Sequence, residues 1–224
     1  DGFCPHMGAN LADGCVKGDS VICPFHEWSW GSDGFCNDIP YAKSIPPRAR
    51  IKSWPTMEIN QLVYIWHDPD GGAPIPEQAI PEDPTVQEDG WTPWVIRRVP
   101  IANNARELID NMADKAHFGP VHGLPAVDKF INICEGHTFT QIQETNTEYM
   151  GKAESTATYY GPGYMIHHQK MSGGTVMEPH NFMSLVMNVP TSMNSFEFLA
   201  GFKERIPEGM EDDIDAQIEY AKEM

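Results

Sequence analysis

Apolar and polar residues alternate in short runs along most of this chain, the pattern of half-buried strands, in which every second side chain faces the core. Arg50 to Trp54 and Leu62 to Trp66 read this way, the second as Leu-Val-Tyr-Ile-Trp, and Val21-Ile22 leads into a loop. Strand signals return at Trp94–Pro100, Thr138–Glu144, Ala153–Tyr160, Tyr164–Gln169, Phe182–Val189 and Ser195–Phe202. Between the two groups, residues 69–94 hold Asp70-Gly71-Gly72 and Pro74, Pro76, Pro81 and Pro84. That composition marks a linker or an irregular crossing. It predicts one domain over residues 1–75 and a second over 76–224.

Helical periodicity occurs in two places. Ile109, Met112 and Ala116 recur at about 100° per residue, which predicts a helix from Ala105 to about His117, capped by Asn103 or Asn104. Gly119-Pro120 should end or kink it, because the residue before proline avoids the α region. A second helix is expected from Pro207 to Met224, with Ile214, Ile218 and Ala221 on one face. Glu208, Glu211, Asp212 and Asp213 suit its positive end. Many strands and few helices make the expected fold class α+β.

The formal net charge is -17, from 15 Lys+Arg against 32 Asp+Glu. This repels nucleic acid, whose phosphates need a positive field. No apolar run is long enough to span a bilayer. Five cysteines and no visible signal peptide argue against a disulfide framework and for a reducing, cytoplasmic setting. The chain begins at Asp1, just before a candidate ligand at Cys4, and ends inside an expected helix, so it reads as part of a longer protein.

Cys4-Pro5-His6 and Cys23-Pro24-Phe25-His26 supply one Cys and one His from each of two loops. Two thiolates on one iron and two imidazoles on the other make a Rieske [2Fe–2S] centre. Zinc is the rival, since two Cys and two His also make a tetrahedral site. Zinc sites usually pair the cysteines in one knuckle and the histidines in another. Cys15, Cys36 and Cys134 read as plain buried or surface thiols.

A second constellation is Asp114-x2-His117-x4-His122. Asp114 and His117 should share a helix face. His117 and His122 would stand about 140° apart on an unbroken helix, so a shared metal requires a break, expected at Gly119-Pro120. Two His and a carboxylate form a facial triad that leaves open positions on Fe(II).

The stretches "CPHMGANLADG", "CPFHEWSWGSDG", "LIDNMADKAHF", "ICEGHTF" and "YYGPGYMI" resemble the Rieske non-haem iron oxygenases, in the branch of the 3-ketosteroid 9α-hydroxylases and cholesterol 7-desaturases. Respiratory Rieske proteins join their loops by a disulfide. The matching positions here are Ala9 and Phe25, and Trp28 follows the second loop where the respiratory type has small hydrogen-bonding residues. The "AHFGPVHG" segment leans toward the desaturases.

The resemblance implies an all-β Rieske domain followed by a helix-grip catalytic domain with a curved antiparallel sheet, and a chain truncated at both ends. It implies Cys4, His6, Cys23 and His26 as [2Fe–2S] ligands and His117 and His122 as ligands of a mononuclear iron. Asp114 would be an electron-transfer bridge to His26 of a neighbouring subunit. The third iron ligand would be a carboxylate beyond the end of the chain, not Asp212, Asp213 or Asp215. Electrons from NAD(P)H would arrive through a separate ferredoxin-type reductase to a homotrimer. The chemistry would be O₂ activation and hydroxylation of a steroid-like hydrophobic substrate, or desaturation by a sterol desaturase. A Rieske ferredoxin is the rival from another class. Met165, Ile166, His167, His168 and Met187 are candidates for lining a large apolar cavity, and His137 and His180 have no assigned role.

Overall fold

The computed structural model describes residues 1–123 and 127–223. The chain divides into two units, Asp1–Pro74 and Ile75–Met224.

The first unit is built from short strands. β1 (Cys15–Lys17), β2 (Ser20–Ile22), β3 (Ser29–Gly31) and β4 (Cys36–Asp38) form an antiparallel sheet in chain order. β5 (Thr56–Ile59) and β6 (Leu62–Ile65) form a separate hairpin. Asn60 and Gln61 both take positive φ, 53° and 62°, as a two-residue turn needs if it is to match strand twist. Cys4, Cys23, Trp30, Cys36 and Ile39 make a small buried core. The strand expected at Arg50–Trp54 does not form. Residues 49–51 reach the Gly34–Cys36 stretch through single backbone bonds and one bridge between Phe35 and Arg50. Pairing resumes only after Pro55, which has no N–H to donate.

The second unit holds β7 (Val95–Ile101), α1 (Glu107–Ala113), α2 (Phe118–His122), β8 (Lys129–Glu135), β9 (Thr138–Thr147), β10 (Gly151–Tyr160), β11 (Tyr164–Met171), β12 (His180–Ser192), β13 (Ser195–Glu204) and α3 (Ile214–Lys222). Its antiparallel sheet has the order β7-β13-β12-β11-β10-β9-β8. β8 to β13 are a simple meander, and β7 lies on the far edge beside β13. The connection from β7 to β8 must therefore cross a sheet face, and it carries α1 and α2. Ile109 and Met112 of α1 pack on Ala157, Tyr159 and Met165. β8 is not among the expected strands; nearly all its side chains are exposed, so its burial does not alternate.

The opposite face is covered as well. Val86 and Thr92 are fully buried, Asp83 meets His168 at 2.6 Å, and Lys203 Nζ donates to the Val86 carbonyl at 3.5 Å. From Asp83 onward the proline-rich stretch is therefore packed structure within the second unit, not a free linker. α3 starts later than expected. Asp213 caps it, accepting from Ala216 N at 3.0 Å, so Glu208, Glu211 and Asp212 precede the helix. Met224 lies outside the described residues. Among them, no helix is long and apolar enough to cross a membrane.

Candidate metal centres

The two cysteine loops close in the same way. Cys4 N donates to Ala9 O at 2.8 Å and Gly8 N to Cys4 O at 2.8 Å. In the second loop Cys23 N donates to Trp28 O at 2.9 Å and Glu27 N to Cys23 O at 3.0 Å. The fifth residue of each loop takes positive φ, Gly8 at 75° and Glu27 at 58°. One backbone design thus serves both loops, with the histidine at the third position in one and the fourth in the other.

These loops bury both sulfurs, with Cys4 and Cys23 each 1% exposed. Burial pushes the Cys4 thiol up, against the His6 backbone N–H, and the neighbouring Cys23 adds to the rise. Burial acts on Cys23 too, but the N–H groups of Phe25 and His26 and the Cys4 side chain together bring it below its ordinary value. The His6 and His26 rings meet edge-on, 4.8 Å between centroids and 70° between planes. His26 Nδ1 is buried with no hydrogen-bond partner, a costly condition that a metal bond would relieve. Among the described residues no three His, Cys, Asp or Glu side chains are grouped closely enough to hold a metal ion. Adjacent thiols beside an imidazole pair fit a two-iron cluster with split ligation.

In the second unit, the break expected at Gly119-Pro120 lies elsewhere. α1 ends at Ala113, and Asp114 is extended, with ψ 107°. The Asp114 carboxylate accepts from Ala116 N at 2.8 Å, a local turn that competes with the helix. His117 then caps α2, and His122 is its last residue. Pro120 is tolerated because it lies in the first turn, where its missing N–H costs nothing. The two imidazoles stand 5.1 Å apart at 69°, with Phe118 against both, at 4.5 and 5.7 Å. Asp114 and His117 thus do not share a helix. His117 Nδ1 lies 2.6 Å from the Asp114 backbone oxygen and 3.8 Å from carboxylate Oδ2. With Nδ1 taken by a carbonyl, the proton belongs on that nitrogen and Nε2 is left free to accept.

Sheet side chains anchor the end of α1, just before the His117–His122 segment. Gln141 Nε2 donates to Met112 O and Asn132 Nδ2 donates to Ala113 O at 3.1 Å, so two carbonyls at the α1 terminus are satisfied from β9 and β8. Between the helices and the sheet is a cavity of about 170 Å³, walled by Met112, Phe118 and Met165 and floored by Gln141, Gln143, Ser155, His167 and Gln169. Antiparallel register aligns Gln141, Ala157, His167 and Ser184 in one cross-strand row and Gln143, Ser155 and Gln169 in the next. His167 bridges Ser155 Oγ at 2.8 Å and Ser184 Oγ at 3.0 Å, and burial pulls it down to about 4. The cavity is small, and polar side chains from three strands share its lining with Met112, Phe118, Met150 and Met165. Of the five candidates, Met165 and His167 line it. Ile166, His168 and Met187 alternate to the other face, where His168 pairs with Asp83. His180 lies 2.9 Å from Glu204, and the His137 carbonyl accepts from Gly161 N. The sequence reading missed Gln141, Gln143, Ser155 and Gln169. Alternation in β9 marks the first two as sharing a face, but not as a buried one.

Residues 1–55 match the Rieske [2Fe-2S] domain family, and residues 65–224 match the family described as 3-Ketosteroid 9alpha-hydroxylase C-terminal domain. A probable 3-ketosteroid-9-alpha-monooxygenase, oxygenase component, of Rhodococcus rhodochrous is 40% identical over 234 residues, 99% of this chain and 58% of the relative. The Mycobacterium tuberculosis oxygenase component of the same name is 39% identical over 229 residues, 96% of this chain and 58% of the relative. A cholesterol 7-desaturase of Hemicentrotus pulcherrimus is 40% identical over 131 residues, 55% of this chain and 27% of the relative. Among solved structures, dicamba monooxygenase bound to dicamba superposes with a TM-score of 0.72 at 19% identity, over 96% of this chain and 67% of that one. The chain spans a little under three fifths of the length of the ketosteroid relatives.

Proposed function

The chain belongs to the Rieske oxygenase family that shares the 3-ketosteroid 9α-hydroxylase C-terminal domain, and from that premise we propose that it is the core of a terminal oxygenase component. Residues 1–75 would bind a [2Fe–2S] cluster through Cys4, His6, Cys23 and His26. Residues 76–224 would bind a mononuclear iron through His117 and His122, with the third ligand a carboxylate from outside these residues. The observation that carries the reading is the pairing of the cysteine loops, which share one backbone closure, bury two thiols and leave His26 Nδ1 without a partner.

When bound, the cluster supplies one-electron transfer and the mononuclear iron supplies O₂ activation. The residues of the chain do the rest. Backbone N–H groups of His6, Phe25 and His26 favour the thiolate form of the two cysteines. The Asp114 carbonyl sets the His117 tautomer. Phe118 and Met112 form apolar walls of the cavity, while Gln143 and Gln169 offer hydrogen bonds to a substrate's oxygen atoms. Electrons would come from NAD(P)H through a separate reductase. The working assembly would be a homotrimer closed head to tail, with Asp114 linking His117 to His26 of the next copy. The half-exposed Asp114 carboxylate supports that role, since its side chain is 53% accessible.

The substrate would be a steroid-like polycycle with oxygen functions that the amides can read. Iron and acid-labile sulfide analysis of the anaerobically purified full-length protein tests the cluster, and zinc without sulfide refutes it. Sterols, ketosteroids and small aromatic acids, assayed with a working reductase, test the substrate class. Turnover confined to the aromatic acids refutes it. The similarity to a cholesterol 7-desaturase favours desaturation as the second reading. Mass analysis of the product separates the two, since hydroxylation adds oxygen and desaturation removes hydrogen.

A further inference from the structure

The two imidazoles of the cysteine loops have different surroundings. His26 tilts against Phe25, 4.0 Å between centroids, and Phe25 is itself 61% exposed. His6 instead lies flat on the Trp28 indole, with centroids 4.4 Å apart and planes within 12°. The indole N–H points elsewhere, donating to Tyr41 Oη at 2.7 Å. Trp28 also packs on Trp30, centroids 5.7 Å apart, and Trp30 is almost fully buried in the core that holds Cys4 and Cys23. The main chain adds a further constraint, because the Trp28 carbonyl closes the second loop by accepting from Cys23 N. Trp28 is therefore held by its backbone, by Trp30 and by Tyr41, and it presents one face to His6.

We propose that Trp28, oriented by Tyr41, is the positioning residue for His6, fixing the plane of that imidazole and lowering the reduction potential of the cluster it would bind. An aromatic face carries negative potential. It stabilises a ring that bears positive charge, as in a cation–π contact. An imidazole on the more positive, oxidised iron gains more from that face than one on reduced iron. Donation of the indole N–H to Tyr41 enriches the ring further, so the hydrogen bond and the stack act in the same direction. Ligand orientation from behind is a recognised way for a protein to tune a metal centre. His26, against an exposed Phe25 at a steeper angle, has no equivalent support.

The inference rests on the Rieske reading, and the two can fail separately. The test uses the full-length, cluster-loaded protein and the variants Trp28→Leu, Trp28→Phe and Tyr41→Phe. The readouts are the midpoint potential from an optical redox titration, the EPR g-values of the reduced cluster, and the nitrogen hyperfine coupling of the histidine ligands. Trp28→Leu should raise the potential and change the nitrogen coupling of one histidine. Trp28→Phe, which keeps a ring at the site, should recover most of both. Tyr41→Phe should raise the potential by a smaller step at unchanged thermal stability; Tyr41 is exposed, so folding is not at stake there. A Trp28→Leu protein with full iron and sulfide but wild-type potential and spectra overturns the proposal and leaves the cluster standing. Equal shifts in Trp28→Phe and Trp28→Leu overturn the stacking mechanism. Wild-type protein with zinc and no sulfide overturns the cluster reading, and this inference with it.

Discussion

His117 Nδ1 lies 2.6 Å from the backbone oxygen of Asp114 and 3.8 Å from that residue's carboxylate. The histidine is therefore oriented by a group that no side-chain substitution removes. Asp114→Asn should keep iron at His117 and His122 close to the wild-type level, as metal analysis would show. Product formed in a single turnover from reduced cluster should fall by at least about tenfold, the usual scale for loss of an outer partner of a metal ligand. Loss of iron in that variant would mean the carboxylate, not the carbonyl, holds the ring.

Gln141 is 2% exposed and its amide donates to the Met112 carbonyl at the end of α1. Gln141→Leu fills similar space but leaves that carbonyl unpaired. The expected cost is about 1–3 kcal/mol of stability, read from denaturant unfolding. Mononuclear iron should bind more weakly as well, because the His117–His122 segment follows directly from this anchor.

Glu204 and His167 predict opposite pH responses. Burial pushes the Glu204 carboxyl up to about 7 from an ordinary 4.5. Between those values the native state binds more protons than the unfolded chain, so this residue's contribution falls as pH rises and is fully lost above 7. Glu204→Gln should gain stability over wild type across that window, by at most on the order of 3 kcal/mol. Burial pulls His167 down to about 4 from 6.5. There the unfolded chain binds more protons, so stability falls as pH drops through the window from 6.5 to 4. His167→Gln should resist that acid loss. Thermal melts of both variants and the wild type from pH 4 to 8 check the two slopes, and parallel curves would refute both.

Glu27 holds φ at 58°, where its counterpart in the first loop is Gly8 at 75°. A side chain in that region costs roughly 1–2 kcal/mol. Glu27→Gly should therefore stabilise the cluster-loaded protein by about 1 kcal/mol, measured as a shift in the denaturation midpoint. No gain, or a loss, would mean that the Glu27 side chain makes a compensating contact.

The chemistry of this protein is written in short local patterns. Cys4-Pro5-His6 and Cys23-Pro24-Phe25-His26 are legible because each candidate ligand pair lies within one loop, where spacing alone limits reach. His117 and His122 are legible for the same reason, and so are the strands from β9 to β13, whose side chains alternate between the two faces of the sheet. The site of the helix break was misread because two local signals competed. Gly119-Pro120 looks like a stop, but proline in a first turn sacrifices no hydrogen bond, while the Asp114 carboxylate turns the chain earlier by capturing Ala116 N. β8 carries no such signal because nearly all its side chains are exposed and neither face is buried. What only the tertiary structure decided is which residues from distant strands face one another. Gln141, Ser155, His167 and Gln169 belong to three strands, and one residue of register slip would turn a strand's set to the opposite face. Register depends on partners that no local pattern names, so the candidate metal-binding residues could be picked out from the sequence, while the floor of the cavity required the folded sheet.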